Sequence, residues 1–292
     1  MAMRIMASIL IADGHAHVST LGIGPAKLAK KFKESGGWFI VLVSLPPHYY
    51  GLDDTTENLV RAAKIHAELC SRVRGEGMSV ACIGGVHPAT VDRIIKTASG
   101  DPMKALDKVL QAVESIIKMV ANGVIDGLGE FGRPHYKTLP ASFVANELVL
   151  LRVLEASKDM DVPLHLHLEE AGTLTVHMID KLAKVLGAGG LSKVIFHHSS
   201  IAIAKEALKR GYSATLTGRK QIIDKMKPAG VIVPGAMLES DYIDDPKRPG
   251  LVMYPWEISE NVKKAIEEGV IDEDDAYVLG VGSVKRIYGV EP

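Results

Sequence analysis

The sequence predicts an α/β fold closed into a (β/α)8 TIM barrel, and three observations carry that expectation. Eight short apolar runs alternate with helix-like segments along the chain. The runs are nearly continuous in Val, Ile and Leu, the pattern of parallel strands covered on both faces rather than of half-exposed ones. The length, 292 residues, is slightly above that typical of one such barrel and favours closure over an open sheet. Nothing in composition marks a linker, repeat or low-complexity tract, so residues 1–292 read as one domain.

The elements follow in order. The first run, Ala7–Ala12, superficially resembles a secretion signal, but it leads straight into a histidine motif that cleavage would damage. It is read as the first strand and the protein as cytoplasmic. The later strand candidates are Trp38–Ser44, Val80–Val86, Val124–Gly129, Val162–Leu168, Val194–His197, Tyr212–Thr217 and Val231–Leu238. Helical periodicity falls between them, over Gly24–Glu34, Thr56–Arg74, Met103–Asn122, Ala141–Lys158, Gly172–Leu186, Ala202–Lys209 and Gln221–Lys227. Two further helices, Glu257–Glu268 and Asp272–Tyr288, finish the chain. Gly280-Val-Gly282 is only a fragment of a glycine motif inside the last of them. Two loops, Leu45–Asp54 and Tyr242–Gly250, follow strand C-termini and are placed to cover a site.

Composition removes several function classes. No apolar run approaches a membrane span. The formal net charge of −1 gives no field favouring nucleic acid. Cys70 and Cys82 fit no zinc ribbon or disulfide framework and read as buried apolar residues of a reducing compartment. No obligate protein partner is evident.

The chemistry lies at the strand ends. Asp13, His15 and His17 occupy alternate positions and so share a face if the strand runs through them. The third strand is followed by Gly85-Val-His-Pro88, which presents His87, and the fourth by Glu130. The fifth carries His165 and His167, the sixth ends in His197 and His198, and the eighth in Glu239 and Asp241. A lone histidine after a strand is most often a hydrogen-bonded structural residue, and His48, His66, His135 and His177 are left as such. A lone carboxylate there is most often a helix N-cap. Ligand-capable groups at the same end of six strands are hard to explain by packing, and they point to a metal centre. Four imidazoles and two carboxylates suit zinc, manganese, iron, cobalt or nickel better than calcium, and suffice for two ions sharing a carboxylate. His165 and His167 share a strand face, whereas His197 and His198 point to opposite faces if the strand persists, so pattern alone does not choose within either pair.

The ordered set resembles the TatD-related metal-dependent hydrolases of the amidohydrolase superfamily. Asp13-Gly-His-Ala-His17 looks like the family's Asp-x-His-x-His, and Gly85-Val-His-Pro88 like its Gly-x-His-Pro. Gly129-Glu130-Phe-Gly132 is similar to its Gly-Glu-x-Gly, Pro163-Leu-His-Leu-His167 to its strand-five segment, and Leu238-Glu-Ser-Asp241 to its Glu-Ser/Thr-Asp signature. The resemblance implies that His15, His17 and Glu130 hold one divalent ion, and Glu130, His167 and His197 a second. The ions would be zinc first, with manganese, magnesium, iron, cobalt or nickel as alternatives. It implies that Asp241 binds metal and orients or deprotonates the attacking water, and that His87 meets the substrate phosphate. Asp13, Glu239 and His165 then support the ligands from outside the set.

The departures qualify the implied nuclease activity. Glu169, followed by Glu170, stands where the family usually has Arg, and Arg133-Pro134 replaces Leu-Asp. Arg133 reads either as a replacement cation that binds substrate or as an exposed loop arginine. The leading expectation is hydrolysis of a phosphodiester, small or nucleic-acid, as in an exonuclease or deoxyribonuclease. The alternatives are hydrolysis of an amide, ester or lactone, and an inactive metal-binding barrel.

Overall fold

The computed structural model describes residues 9–98, 101–247 and 253–292. Eight parallel strands pair in chain order: β1 (Ile11–Ala16), β2 (Gly37–Val43), β3 (Ser79–Gly84), β4 (Gly127–Gly132), β5 (Leu164–His167), β6 (Val194–Phe196), β7 (Ser213–Thr217) and β8 (Ala236–Glu239). The ring closes where Asp241 N donates to His15 O at 2.9 Å and His17 N donates to Tyr242 O at 2.7 Å. The barrel expected from the alternation is the architecture observed.

Helices α1 (Pro25–Glu34), α2 (Thr56–Gly75), α3 (Pro88–Thr97), α4 (Pro102–Ala121), α5 (Pro140–Met160), α6 (Thr173–Val185), α7 (Ile201–Lys209) and α8 (Lys220–Ala229) surround the strands. Proline stands at the first or second position of α1, α3, α4 and α5, where its fixed φ suits a helix start and its missing N–H has no intrahelical partner to lose. The chain ends in α9 (Pro255–Glu267), α10 (Glu273–Tyr277), a π turn over Val278–Gly282, and α11 (Ser283–Tyr288).

Two apolar layers result. Leu28, Phe32, Leu42, Ile116, Leu128 and Leu166 belong to the larger one, in which helices meet the outer face of the strands. Phe39, Val41, Ile83, Ile195 and Met237 form a second cluster that also takes in Val284 and Ile287 of α11. The C-terminal helix thus completes the apolar floor beneath the ligand-bearing strand ends. Each such side chain, fully buried, contributes roughly 2 kcal/mol relative to exposure.

The structure corrects several boundaries. The first strand is not Ala7–Ala12, whose early residues lie partly outside the described ones; it is Ile11–Ala16, so the strand itself carries the motif. Its alternation is broken, because the pairing with β2 shifts register between Asp13 and Ala16. The fourth strand begins at Gly127 because Val124 lies exposed in a turn. The eighth is cut to four residues: Pro234 has no N–H for a ladder, and Gly235 takes φ +112°. Helix α3 was not anticipated, although Pro88, Val91, Ile94 and Ile95 carry its signature. The expected helix Asp272–Tyr288 is interrupted at Gly280, where a Cβ would stand 2.3 Å from Leu10 O, so only glycine lets this segment approach the first strand. Cys70 and Cys82 are buried as expected but are joined in a disulfide between α2 and β3 rather than free. No helix among the described residues is long and apolar enough to cross a membrane.

Candidate metal centre

Glu130, from β4, stands at the middle of the histidine cluster. Its Oε1 lies 2.9 Å from His15 Nε2 and 3.3 Å from His17 Nε2. Its Oε2 lies 2.9 Å from His167 Nδ1 and 3.5 Å from His87 Nε2. One carboxylate therefore turns each oxygen to a different set of imidazoles. Asp241 closes the group, with Oδ1 3.6 Å from His17 Nε2 and 3.9 Å from His197 Nε2. The ring of His197 stacks on that of His15 at 3.6 Å.

The partners of the outer nitrogens settle most tautomers. His17 Nδ1 lies 2.8 Å from the carbonyl of Val43, which can only accept. His197 Nδ1 lies 2.8 Å from a carboxylate oxygen of Glu239. Each Nδ1 therefore carries a proton and donates, so that in the neutral, metal-binding ring the lone pair sits on Nε2, turned to the centre. His87 is the opposite case. Its Nδ1 accepts from Ala89 N at 3.0 Å as the N-cap of α3, so its Nε2 carries the proton and is a donor, unsuited to a cation. His87 belongs with the substrate-facing groups even though it stands within ligand distance of Glu130 and His167.

The electrostatics follow from burial in this carboxylate-rich setting. Burial opposes protonation of His17, but Asp241 and Glu130 override it and push the imidazole up to about 10. The same balance, with Glu239 foremost, pushes His197 up to about 9. Burial and the neighbouring His197 push His15 down to about 4, and burial pushes His87 down to about 3. Burial also resists ionisation of Glu130, yet His15, His167 and His17 around it hold its carboxyl well below the ordinary range. Three carboxylates thus demand positive charge at their centre. His167 Nδ1 is buried and makes no hydrogen bond of acceptable geometry, even to the Glu130 oxygen 2.9 Å away. A nitrogen and a carboxylate oxygen facing each other without a shared proton fit a cation as their common partner, and the mixed nitrogen and oxygen set suits a divalent transition metal.

Supporting residues occupy the expected elements for reasons that sequence shows only in part. Asp13 does not face the cavity. It accepts from Ser240 N at 3.0 Å and from the Ser240 hydroxyl at 2.5 Å, and so ties β1 to the turn that presents Asp241. The register shift removes it from the face shared by His15 and His17. Gly14 is required in that irregular stretch, because a Cβ would stand 2.9 Å from Thr215 Cγ2. Glu239 is fully buried behind His197. The choice between His197 and His198 dissolves, because β6 ends at Phe196. Beyond it strict alternation no longer applies: His198 takes φ +54°, and both rings line the cavity.

That cavity has a volume of about 660 Å³, and its lining includes His17, His87, Glu130, His167, His197 and Asp241. It also brings in His48, Arg93, His135 and Glu170, which no motif singled out. His135 stands 2.8 Å from His167 Nε2; its one sequence signal is its place in the loop directly after Gly132. The loop after β2 forms a 3-10 turn over Pro47–Tyr50 and contributes Pro46, His48 and Tyr49 to the wall. The loop after β8 is described to Lys247. In it the buried Asp244 accepts from Ile23 N at 2.7 Å, so this part pins the loop after β1; the rest of that loop lies outside the described residues.

Arg133 is placed where neither reading of it put it. It is 2% exposed and does not line the cavity. Its guanidinium spans Glu147, at 2.5 and 3.0 Å, and Glu169, at 3.1 Å. The two departures from the family pattern, Arg133 and Glu169, are therefore one interaction.

Comparisons with known proteins agree with this geometry. The family model of the TatD related DNases matches residues 12–289. The chain is 28% identical over 291 residues to an uncharacterized protein of Methanocaldococcus jannaschii, covering 99% of both. Among solved structures, a TatD homologue from Escherichia coli K12 superposes with a TM-score of 0.63 at 17% identity, over 97% of this chain and all of that one. The phosphotriesterase homology protein of Escherichia coli, complexed with phosphate in its active site, gives 0.64 at 13% identity over 94% and 96%. An engineered PTE-like lactonase of Deinococcus radiodurans gives 0.66 at 15% identity over 97% of each chain. At such identities the structural likenesses speak for the barrel alone. The family match covers nearly the whole chain, and the ordered residues it spans are those gathered around Glu130: the chain belongs to the TatD-related DNase family, a family of hydrolases.

Proposed function

We propose that the chain is a two-metal hydrolase that cleaves a phosphodiester, with His15, His17, Glu130, His167, His197 and Asp241 as ligands. The observation that carries this reading is the division of Glu130, one oxygen toward His15 and His17 and the other toward His167. Divalent ions held there, zinc first among the candidates, would supply an activated water and polarise the bond to be broken. Asp241 stands beside His17 and His197 at the open side and takes the proton of the attacking water. His87 Nε2–H, fixed by its N-cap bond, donates to a non-bridging phosphate oxygen, while Arg93 on the same wall is paired with Asp54. A cavity of about 660 Å³ admits a small phosphodiester or the end of a single strand.

A second reading, hydrolysis of a lactone or other ester, is favoured by one observation. The family's usual arginine is Glu169, and Arg133 is consumed by Glu147 and Glu169. That leaves no arginine at the position where phosphate is usually met.

The deciding experiment is a panel of single-stranded oligonucleotide, bis(p-nitrophenyl) phosphate, a γ-lactone and a simple amide, assayed with zinc and with manganese. Turnover of the phosphodiesters is expected. Lactone or amide cleavage with both phosphodiesters inert overturns the proposal.

A further inference from the structure

His17 and His197 have their tautomers set by groups that only accept, Val43 O and Glu239. His15 has no such partner. Its Nδ1 lies 3.2 Å from Nδ1 of His165, a nitrogen that can donate or accept. His165 is fully buried, and its Nε2 lies 2.8 Å from the hydroxyl of Tyr288. Tyr288 closes α11, the helix that completes the floor of the barrel, and its ring packs on Phe39 at 5.1 Å. A chain of hydrogen bonds thus runs from the C-terminal helix to the bridging carboxylate: Tyr288, His165, His15, Glu130.

We propose that Tyr288 is a positioning residue for His15, supplying through His165 the acceptor required by the tautomer that leaves His15 Nε2 unprotonated and aimed at the centre. The proposal rests on the metal reading above. Two arrangements of the chain hold the same protons, one on each imidazole and one on the phenol. In the first, His15 Nε2–H donates to Glu130, His165 Nδ1–H donates to His15 Nδ1, and the Tyr288 hydroxyl donates to His165 Nε2. In the second, His15 Nδ1–H donates to His165 Nδ1, His165 Nε2–H donates to the Tyr288 oxygen, and His15 Nε2 carries a lone pair. Only the second suits a cation. A phenol serves both, because it donates or accepts. Phenylalanine at 288 removes the acceptor that the second arrangement needs, and would strand a buried N–H there. The variant is thereby driven toward the first arrangement, in which His15 cannot bind metal without losing a proton.

The test uses full-length, metal-free protein titrated with zinc against a chromophoric chelator. Tyr288→Phe should weaken zinc binding at the site that holds His15 by roughly tenfold, the low end of the loss seen when a ligand histidine loses its outer partner. Wild-type zinc affinity in the variant overturns the proposal. A second measurement is independent of how the variant folds: long-range 1H–15N spectra of zinc-loaded wild type labelled at histidine. His165 should appear as the Nε2–H tautomer; an Nδ1–H form in the loaded protein overturns the proposal. Wild type that takes up no zinc defeats the underlying metal reading, which separates the two failures.

Discussion

Asp241 has a left-handed backbone at φ +50° and a carboxylate that reaches toward both His17 and His197. Asparagine tolerates that backbone better than most residues, so Asp241→Asn should preserve the fold while removing the base. A loss of kcat of roughly 10²- to 10⁴-fold is expected, with an unchanged circular dichroism spectrum. Undiminished turnover would take the proton-accepting role from Asp241. Arg133 calls for the opposite experiment. Because its guanidinium is committed to Glu147 and Glu169, Arg133→Leu should cost about 2 kcal/mol of stability by leaving two carboxylates unpaired. KM of the folded variant should not change; a tenfold rise in KM would restore Arg133 as a substrate-binding residue. Motif spacing identified both residues as important, but the direction of the Arg133 side chain depends on Glu147 and Glu169, which are remote in sequence from each other.

Among the elements, α6 and α7 are joined by one carboxylate. Asp180 on α6 accepts from Lys184 at 2.8 Å, from the Tyr212 hydroxyl at 2.9 Å and from Arg210 at 2.6 Å. Burial works against its ionisation, but Lys184, Tyr212 and Arg210 outweigh it and hold the carboxyl below the ordinary range. A depressed carboxylate stabilises the fold above its unfolded pKa, near 4, and that stability fades as pH falls through the lower folded value. Asp180→Asn should therefore cost about 2 kcal/mol at pH 7. The gap from wild type should shrink below about pH 4, as read from melting temperature against pH; a gap that holds constant to pH 2.5 would remove the ionic account. Helices and strands were largely legible, because their apolar periods and prolines are local signals. Strand edges were not. The alternation of Asp13, His15 and His17 predicts three side chains on one face, whereas the register shift in β1 diverts Asp13 to Ser240. Such a shift is set by pairing with β2, which no local pattern reports.

For the whole molecule, metal should act as part of the fold. The carboxylates of Glu130, Glu239 and Asp241 are buried or nearly so, and a bound cation relieves their mutual repulsion. At a hundredfold excess over Kd, binding to the native state alone adds about 2.7 kcal/mol, equivalent to a rise in Tm of roughly 4 °C for a chain of this size. Metal analysis should find close to two divalent ions per chain, and chelation should lower Tm by that amount. A melting temperature indifferent to chelator, in protein shown to have held metal, would contradict this. The sequence by itself determined the barrel, the strand-end cluster and the ordered motifs, because period, apolar runs and short spacings are properties of neighbouring residues. Only the tertiary structure decided which group faces the outer nitrogen of each imidazole, that Arg133 and Glu169 pair, that His135 meets His167, and that Tyr288 meets His165 behind His15. Those contacts join residues far apart in the chain, which the closed barrel and the C-terminal helix bring together.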